Sequence, residues 1–261
     1  MAAEGVQKCT KIPRDKTIPI DEFVYFKGMR YTHLGAGVSG ITYISDNLIN
    51  GEKHLIKIVP YEGKVQKKME RIDNTRFTNE VAYQKMAANK GLGPIVYQFS
   101  RYGVNLSDSD LFKFIGNSYF CQYLVINYIE MEYYNPDDGW RQLLPDELIT
   151  DDHEDGVRHL MWRLINEAGV VNLEDVAAHI FYNEEHGYRM IDYDHATIVG
   201  NKDKDELLQQ VLTKLRLQYN DANSDVKKRR KMGGSRKRNI KGKKRSHHTK
   251  KHRSTQANRR M

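Results

Sequence analysis

A glycine-rich turn that runs into β-branched sequence constrains this chain more than any other feature. Gly35-Ala36-Gly37-Val38-Ser39-Gly40 is followed at once by Ile41-Thr42-Tyr43-Ile44. β-Branched and aromatic residues favour a pleated strand over a helix. A dinucleotide-binding G-x-G-x-x-G leads from a strand into a helix, so that fold is excluded. No G-K-[ST] follows, which excludes a P-loop. Two readings are left: a hairpin whose glycines let the backbone close over phosphates, or a plain glycine-rich turn.

Charge is distributed unevenly along the 261 residues. Lys227 to Met261 holds 17 Lys and Arg and no Asp or Glu, whereas the rest of the chain has 25 basic side chains against 34 acidic ones. The net charge of +8 therefore belongs to an acidic body with a cationic tail. That tail has almost no apolar residues to bury and is expected to be disordered. Two cysteines, Cys9 and Cys121, are too few for a disulfide framework or a four-ligand zinc site and suit an intracellular, reducing compartment. No apolar run approaches the ~20 residues of a membrane helix, and no secretion signal is evident.

Around the glycine turn the sequence alternates strand and helix signals. Asp46 to Gly51, ending in Asn50-Gly51, reads as a hairpin turn, and Lys53 to Val59 as the returning strand, stopped by Pro60. Arg76 to Asn89 has helical spacing and ends at Gly91-Leu92-Gly93-Pro94. Ile95 to Ser100 and Tyr119 to Ile129 read as strands, and Pro136-Asp137-Asp138-Gly139 as a turn. Val157, Leu160, Met161, Leu164, Ile165 and Ala168 recur at helical spacing, with Gly169 as the stop. Further strand candidates are Ile180-Phe181-Tyr182 and Tyr188 to Ile191, joined by the Glu184–Gly187 turn. Leu207, Leu208, Val211, Leu212 and Leu215 mark a last amphipathic helix. No internal repeat is present.

In this order the elements resemble the protein-kinase fold. Lys57 lies 22 residues after Gly35, where kinases carry the lysine that holds the α- and β-phosphates of ATP. Glu80, on the next helix, looks like the carboxylate that pairs with it. Tyr123 to Glu130 resembles the strand and hinge that receive adenine, with Ile126 at the gatekeeper place and Tyr128 beside it. Ile191-Asp192-Tyr193-Asp194-His195 resembles the segment carrying Asp-Phe-Gly, with Asp192 as the Mg²⁺ ligand. Eighteen residues before Asp192 stands Glu174, and thirteen before it His179. These are the catalytic-loop places where the family has the Asp that orients the acceptor and the Asn that binds metal.

Both places depart from the family. Glu has one more methylene than Asp, and a misplacement on the ångström scale can cost ~100-fold in rate. A neutral His is a poor Mg²⁺ ligand, though it accepts softer ions. Asp175 is adjacent and could serve as base if the loop shifts by one. Asp194 stands where Asp-Phe-Gly has its glycine, as an acidic residue does in choline-kinase-like and aminoglycoside-kinase-like proteins. The resemblance spans about Arg30 to Ile198, no Ala-Pro-Glu follows, and the economy is similar to RIO-type enzymes and to kinase-like proteins of large DNA viruses.

The resemblance implies an α+β, two-lobed protein-kinase-like fold. An N-terminal extension (residues 1–29) would precede an antiparallel-sheet N-lobe with one helix (30–129). A reduced, mainly helical C-lobe (130–226) and the basic tail (227–261) would follow. It implies that Gly35, Gly37 and Gly40 cover the phosphates of ATP, that Lys57 and Glu80 grip them, and that Asp192 and His179 hold Mg²⁺. Glu174 would orient the Ser or Thr hydroxyl of a protein acceptor. The alternative is a pseudokinase, an interaction module whose tail does the binding. The tail is expected either to bind nucleic acid by counterion release, or an acidic partner, or to act as a nuclear-import or solubilising arm. The nucleus or a virion is compatible with it.

Overall fold

The computed structural model describes residues 6–7, 19–37, 40–61, 75–107, 109–115, 118–123, 125–174 and 176–236. Residues 1–220 form one compact unit and 221–261 a second. The first is a mixed α+β unit built on an antiparallel sheet. Its strands are β1 (Val6–Gln7), β2 (Phe23–Phe26), β3 (Met29–Gly37), β4 (Gly40–Ser45), β5 (His54–Pro60), β6 (Val96–Phe99), β7 (Val104–Asn105), β8 (Phe112–Ile115) and β9 (Val125–Glu132). They are ordered β1-β8-β2-β3-β4-β5-β9-β6, with β7 also pairing β9. Helix α1 (Thr75–Ala88) connects β5 to β6.

Turn chemistry sets the register. Asn50 and Gly51 have φ of 54° and 91°, the positive pair that a two-residue hairpin turn requires, and Ile49 bridges Glu52 across it. Lys27 and Gly28 do the same between β2 and β3, with φ of 50° and 79°. The sheet thereby takes in β2, and also β1, from the expected N-terminal extension.

Alternation then sends successive side chains to opposite faces. Ile56 and Ile58 of β5 join a core with Phe26, Tyr43, Phe112 and Phe120, whereas Lys57 between them faces α1. The second face is sealed by Phe77 and Val81 of α1 against Ile129 and Met131 of β9. β9 is covered on both sides, so it reads as an unbroken buried run. Tyr119–Gln122, expected to begin that strand, is instead a 3₁₀ turn. The Ser118 hydroxyl caps it by accepting from the Phe120 N–H at 3.2 Å.

The remainder packs around a separate core. Helix α2 (Glu154–Arg163) runs into a π-helical turn, Leu164–Ala168, and ends at Gly169 with φ 70°, as the glycine stop predicts. Strands β10 (Arg141–Gln142), β12 (Ile180–Asn183) and β13 (Gly187–Met190) form one small sheet, and β11 (Val170–Asn172) with β14 (Ala196–Ile198) another. Their apolar faces meet Leu160, Leu164 and Ile165 and, from α3 (Lys204–Arg236), Leu207, Val211 and Leu215.

One expectation is corrected. Helix α3 continues through Arg236, so the tail expected to be disordered is helical over 227–236. Lys and Arg are good helix formers, and extending an existing helix avoids the cost of a new nucleus. Residues 237–261 lie outside the described residues. Cys121 is buried and disulfide-bonded, a single bond that a cysteine count too low for a framework still allows. The chain's other cysteine, Cys9, lies outside the described residues. No helix among the described residues is long and apolar enough to cross a membrane.

Candidate functional site

Lys57 organises the site. Its register places it opposite Thr42 on β4 and Ile129 on β9, in mid-sheet and directed at α1. The buried stripe of α1 is Phe77, Glu80, Val81, Gln84 and Ala87, which is helical i, i+3, i+4, i+7 spacing. Glu80 therefore rides the core face of its helix, not a solvated one. Its Oε1 meets the Lys57 Nζ at 2.6 Å, and the Asp192 Oδ1 approaches the same ammonium at 3.1 Å. Burial works to lower the Lys57 pKa, but Glu80 and Asp192 overcome it and hold the ammonium above its usual value. Burial also pushes Glu80 upward, with Lys57 pulling it back.

Asp192 is held in an uncommon backbone conformation, with φ 59°. A non-glycine residue there persists only where its surroundings fix it. The Met190 N–H donates to Leu92 O and the Ile191 N–H to His179 O, both at 2.9 Å. The buried Tyr193 hydroxyl donates to Met190 O at 3.1 Å. Gly93 makes room for that hydroxyl, since a Cβ at Gly93 would lie 2.6 Å from it. The connection after α1 and the Asp192 segment are thus clasped together.

The second Asp192 oxygen, Oδ2, faces the His179 Nε2 at 3.8 Å. The His179 Nδ1 is shut off from solvent with no hydrogen-bond partner among the described residues. Glu174 belongs elsewhere. Its Oε2 lies 3.0 Å from the His195 Nδ1, and the His195 Nε2 lies 3.4 Å from the Asp194 Oδ2, which Arg76 of α1 also binds at 2.8 Å. Asp175 lies outside the described residues.

Above Lys57 is a cavity of about 240 Å³. Gly37, Gly40, Leu34 and Thr42 line it, as do Lys57, Glu80 and Asp192. A Cβ on Gly40 would sit 2.8 Å from the Ile58 carbonyl oxygen, so only glycine fits. Gly37 faces open space. The Gly35 carbonyl accepts from the Thr42 hydroxyl at 3.1 Å. Val38 and Ser39, between Gly37 and Gly40 in the sequence, lie outside the described residues.

The expected hinge needs correction. Ile126 and Tyr128 do not line the cavity; both are buried in the core on the other face of the sheet. Strand β9 runs to Glu132, and it is Met131, Glu132, Tyr133 and Tyr134 that border the cavity. Met131 pairs with Leu55, two residues before Lys57. The stop signal Asn135-Pro136 marks that later strand end in the sequence, although the pairing that brings Met131 over the cavity is long-range. Tyr134 is buried and stacked on Trp140 at 4.4 Å and 20°.

The residues fit one half of the implied cofactor better than the other. A buried ammonium beneath a close-approach glycine hairpin suits an anionic phosphate chain, and Asp192 offers the hard oxygen that Mg²⁺ takes. His179, in the place of a second oxygen ligand, does not fit Mg²⁺. Among the described residues no group of three or more His, Cys, Asp or Glu is arranged to hold a metal by itself. In comparisons with known proteins, no family model and no curated protein matches this chain.

Proposed function

We propose that the chain binds ATP with a divalent ion in the cavity over Lys57, as a kinase-like domain of two lobes. The observation that carries this reading is the buried Lys57 ammonium, shared by Glu80 and Asp192, on the wall of a largely apolar cavity that Gly37 and Gly40 also line. In this reading Lys57 holds the inner phosphates and Asp192 orients the ion on them. The strand end from Met131 to Tyr134 receives the base. A volume of about 240 Å³ is small beside the roughly 300–1,000 Å³ of ordinary ligand pockets. It suits base and sugar, with the phosphates reaching out under the hairpin. The test is thermal stabilisation by millimolar ATP with a divalent ion, since a ligand bound only to the native state raises its stability. Asp192→Asn keeps the side-chain shape and leaves Lys57 paired with Glu80. It should remove the ion-dependent part of the stabilisation; ATP binding that is indifferent to this change would overturn the reading.

Whether the bound nucleotide is used divides two readings. Transfer of the γ-phosphate to a Ser or Thr hydroxyl needs a carboxylate at the acceptor, and Glu174 is the candidate. The pseudokinase reading is favoured by the His195 contact, which occupies that carboxylate. Transfer of labelled phosphate from ATP to the chain itself or to a basic protein, lost in Asp192→Asn, would decide for the enzyme. For residues 227–261, we propose polyanion binding that falls steeply with salt and disappears when they are deleted.

A further inference from the structure

We infer that the ion that accompanies the nucleotide, held between Asp192 on the cavity wall and His179, which does not itself line the cavity, is a first-row transition ion of the Mn²⁺ or Co²⁺ kind in preference to Mg²⁺. The inference rests on the nucleotide-binding reading and concerns the same site. The Asp192 carboxylate is divided: Oδ1 is taken by the Lys57 ammonium at 3.1 Å, and Oδ2 faces the His179 Nε2 at 3.8 Å. The donor set offered to an ion is therefore one carboxylate oxygen and one imidazole nitrogen. One ion roughly 2.0–2.2 Å from each atom, the bond lengths these groups make to zinc, would span the 3.8 Å at an angle wider than tetrahedral, so a small approach of the two groups completes the pair. Mg²⁺ demands oxygen donors and near-ideal octahedral geometry, whereas imidazole suits transition ions.

His179 is placed for this by its neighbours. Its carbonyl accepts the Ile191 N–H at 2.9 Å, one residue before Asp192, so imidazole and carboxylate are fixed on adjoining backbone. An ion at Nε2 needs the ring proton on Nδ1, and among the described residues Nδ1 is bonded to no other group that would hold the opposite tautomer. The same lack of a partner makes His179 a weak ligand, because ligating histidines are ordinarily strengthened through their second nitrogen. Two protein donors without that support do not assemble a site alone. The remaining positions must come from the phosphate oxygens, and the ion is expected to bind with ATP rather than before it.

The experiment measures ATP affinity by calorimetry on the full chain, at saturating Mg²⁺, Mn²⁺ or Co²⁺ in turn. The wild type should bind ATP at least tenfold more tightly with Mn²⁺ or Co²⁺ than with Mg²⁺. His179→Asn should bring the ratio within about threefold by restoring an oxygen donor. Pulsed electron paramagnetic resonance of Mn²⁺ with ATP on the wild-type chain covers the case in which the variant does not fold. The nitrogen coupling should change when the protein's histidines carry ¹⁵N and the nucleotide does not. Equal affinities with all three ions, or a nitrogen coupling insensitive to the label, would overturn the inference and leave ATP binding standing. ATP that fails to bind with any ion would overturn the nucleotide reading and this inference with it.

Discussion

Two charge clusters flank the Asp192 segment, built from the same kinds of side chain in different surroundings. Around Lys57, the ammonium and the Glu80 carboxylate are 10% and 4% exposed. Around His195, Arg76 is 61% and Glu174 63% exposed, and only Asp194 is buried. The contact distances are alike. The interaction energies are not, because charge pairs near water are screened while those in the interior act through a much lower effective dielectric. The inner cluster therefore fixes geometry and is costly to break, whereas the outer one can exchange partners. If a nucleotide phosphate binds at Lys57, as proposed, it needs the first property; a residue meeting successive acceptors would tolerate the second.

Breaking the inner cluster should give the largest effect. Glu80→Ala leaves the Lys57 ammonium buried with one carboxylate fewer, and removing one partner of a buried pair costs about 3–5 kcal/mol. Denaturant unfolding should show that loss, and Glu80→Gln, which keeps a hydrogen-bond acceptor, should show less. The pair also has a pH signature. The folded Lys57 pKa is raised above its ordinary value, so its stabilisation is complete below the unfolded value of ~10.4 and is lost as pH rises through the folded one. Buried Tyr31, Tyr43 and Tyr193 act in the same sense, since burial raises each above 10.0. Stability should fall from about pH 10 upward. A Lys57→Met, Glu80→Gln chain should fall less steeply there, by one proton. An unchanged slope would show that Lys57 does not titrate with unfolding.

The glycine hairpin allows a sharper comparison within the site. Gly40→Ala forces a Cβ to within 2.8 Å of the Ile58 carbonyl, and a backbone oxygen cannot move aside as a side chain can. A loss of ~1–3 kcal/mol is expected, as for overpacking. Gly37→Ala meets nothing within 4 Å and should leave stability within ~0.5 kcal/mol. If phosphates lie under the hairpin, that variant should still weaken ATP binding, because the new methyl occupies the cavity wall. Gly37→Ala with unaltered ATP affinity would place the phosphates elsewhere.

Legibility in the sequence follows the range of the interactions. Strands β4 and β5, the Asn50-Gly51 turn, helix α1 and the Gly169 stop are dictated by neighbours a few residues apart, and period and turn chemistry give them directly. Lys57, Glu80 and Asp192 were legible as an ordered set, and the structure brings them together at 2.6 and 3.1 Å. Ile126 and Tyr128 failed as cavity residues because parity on β9 is fixed by pairing with β5, which a strand's own sequence does not reveal. The Glu174–His195 contact joins residues that pattern reading treats separately. No local signal distinguishes it from two solvated side chains.

The smallest effect is expected at the outer cluster, and it tests whether that cluster is as loose as its exposure implies. Arg76→Ala removes the Asp194 contact at 2.8 Å, and Glu174→Gln removes the charge facing His195. Exposed pairs are typically worth 0.2–1 kcal/mol. The Glu174 change should fall at the low end of that range and vanish in molar salt, where the Debye length shrinks to about 3 Å. Arg76→Ala should cost more, since it takes a cation from a buried carboxylate, and its cost should persist in salt. The decisive observation lies in the pair of variants together. Among the described residues Arg76 and Glu174 meet only through His195 and Asp194, so a loose cluster gives additive changes within about 0.5 kcal/mol. A coupling above 1 kcal/mol would mean that α1 and the Glu174 loop move as one body. The exposed cluster would then be a structural clasp like the inner one, and Glu174 would not be free to meet an acceptor.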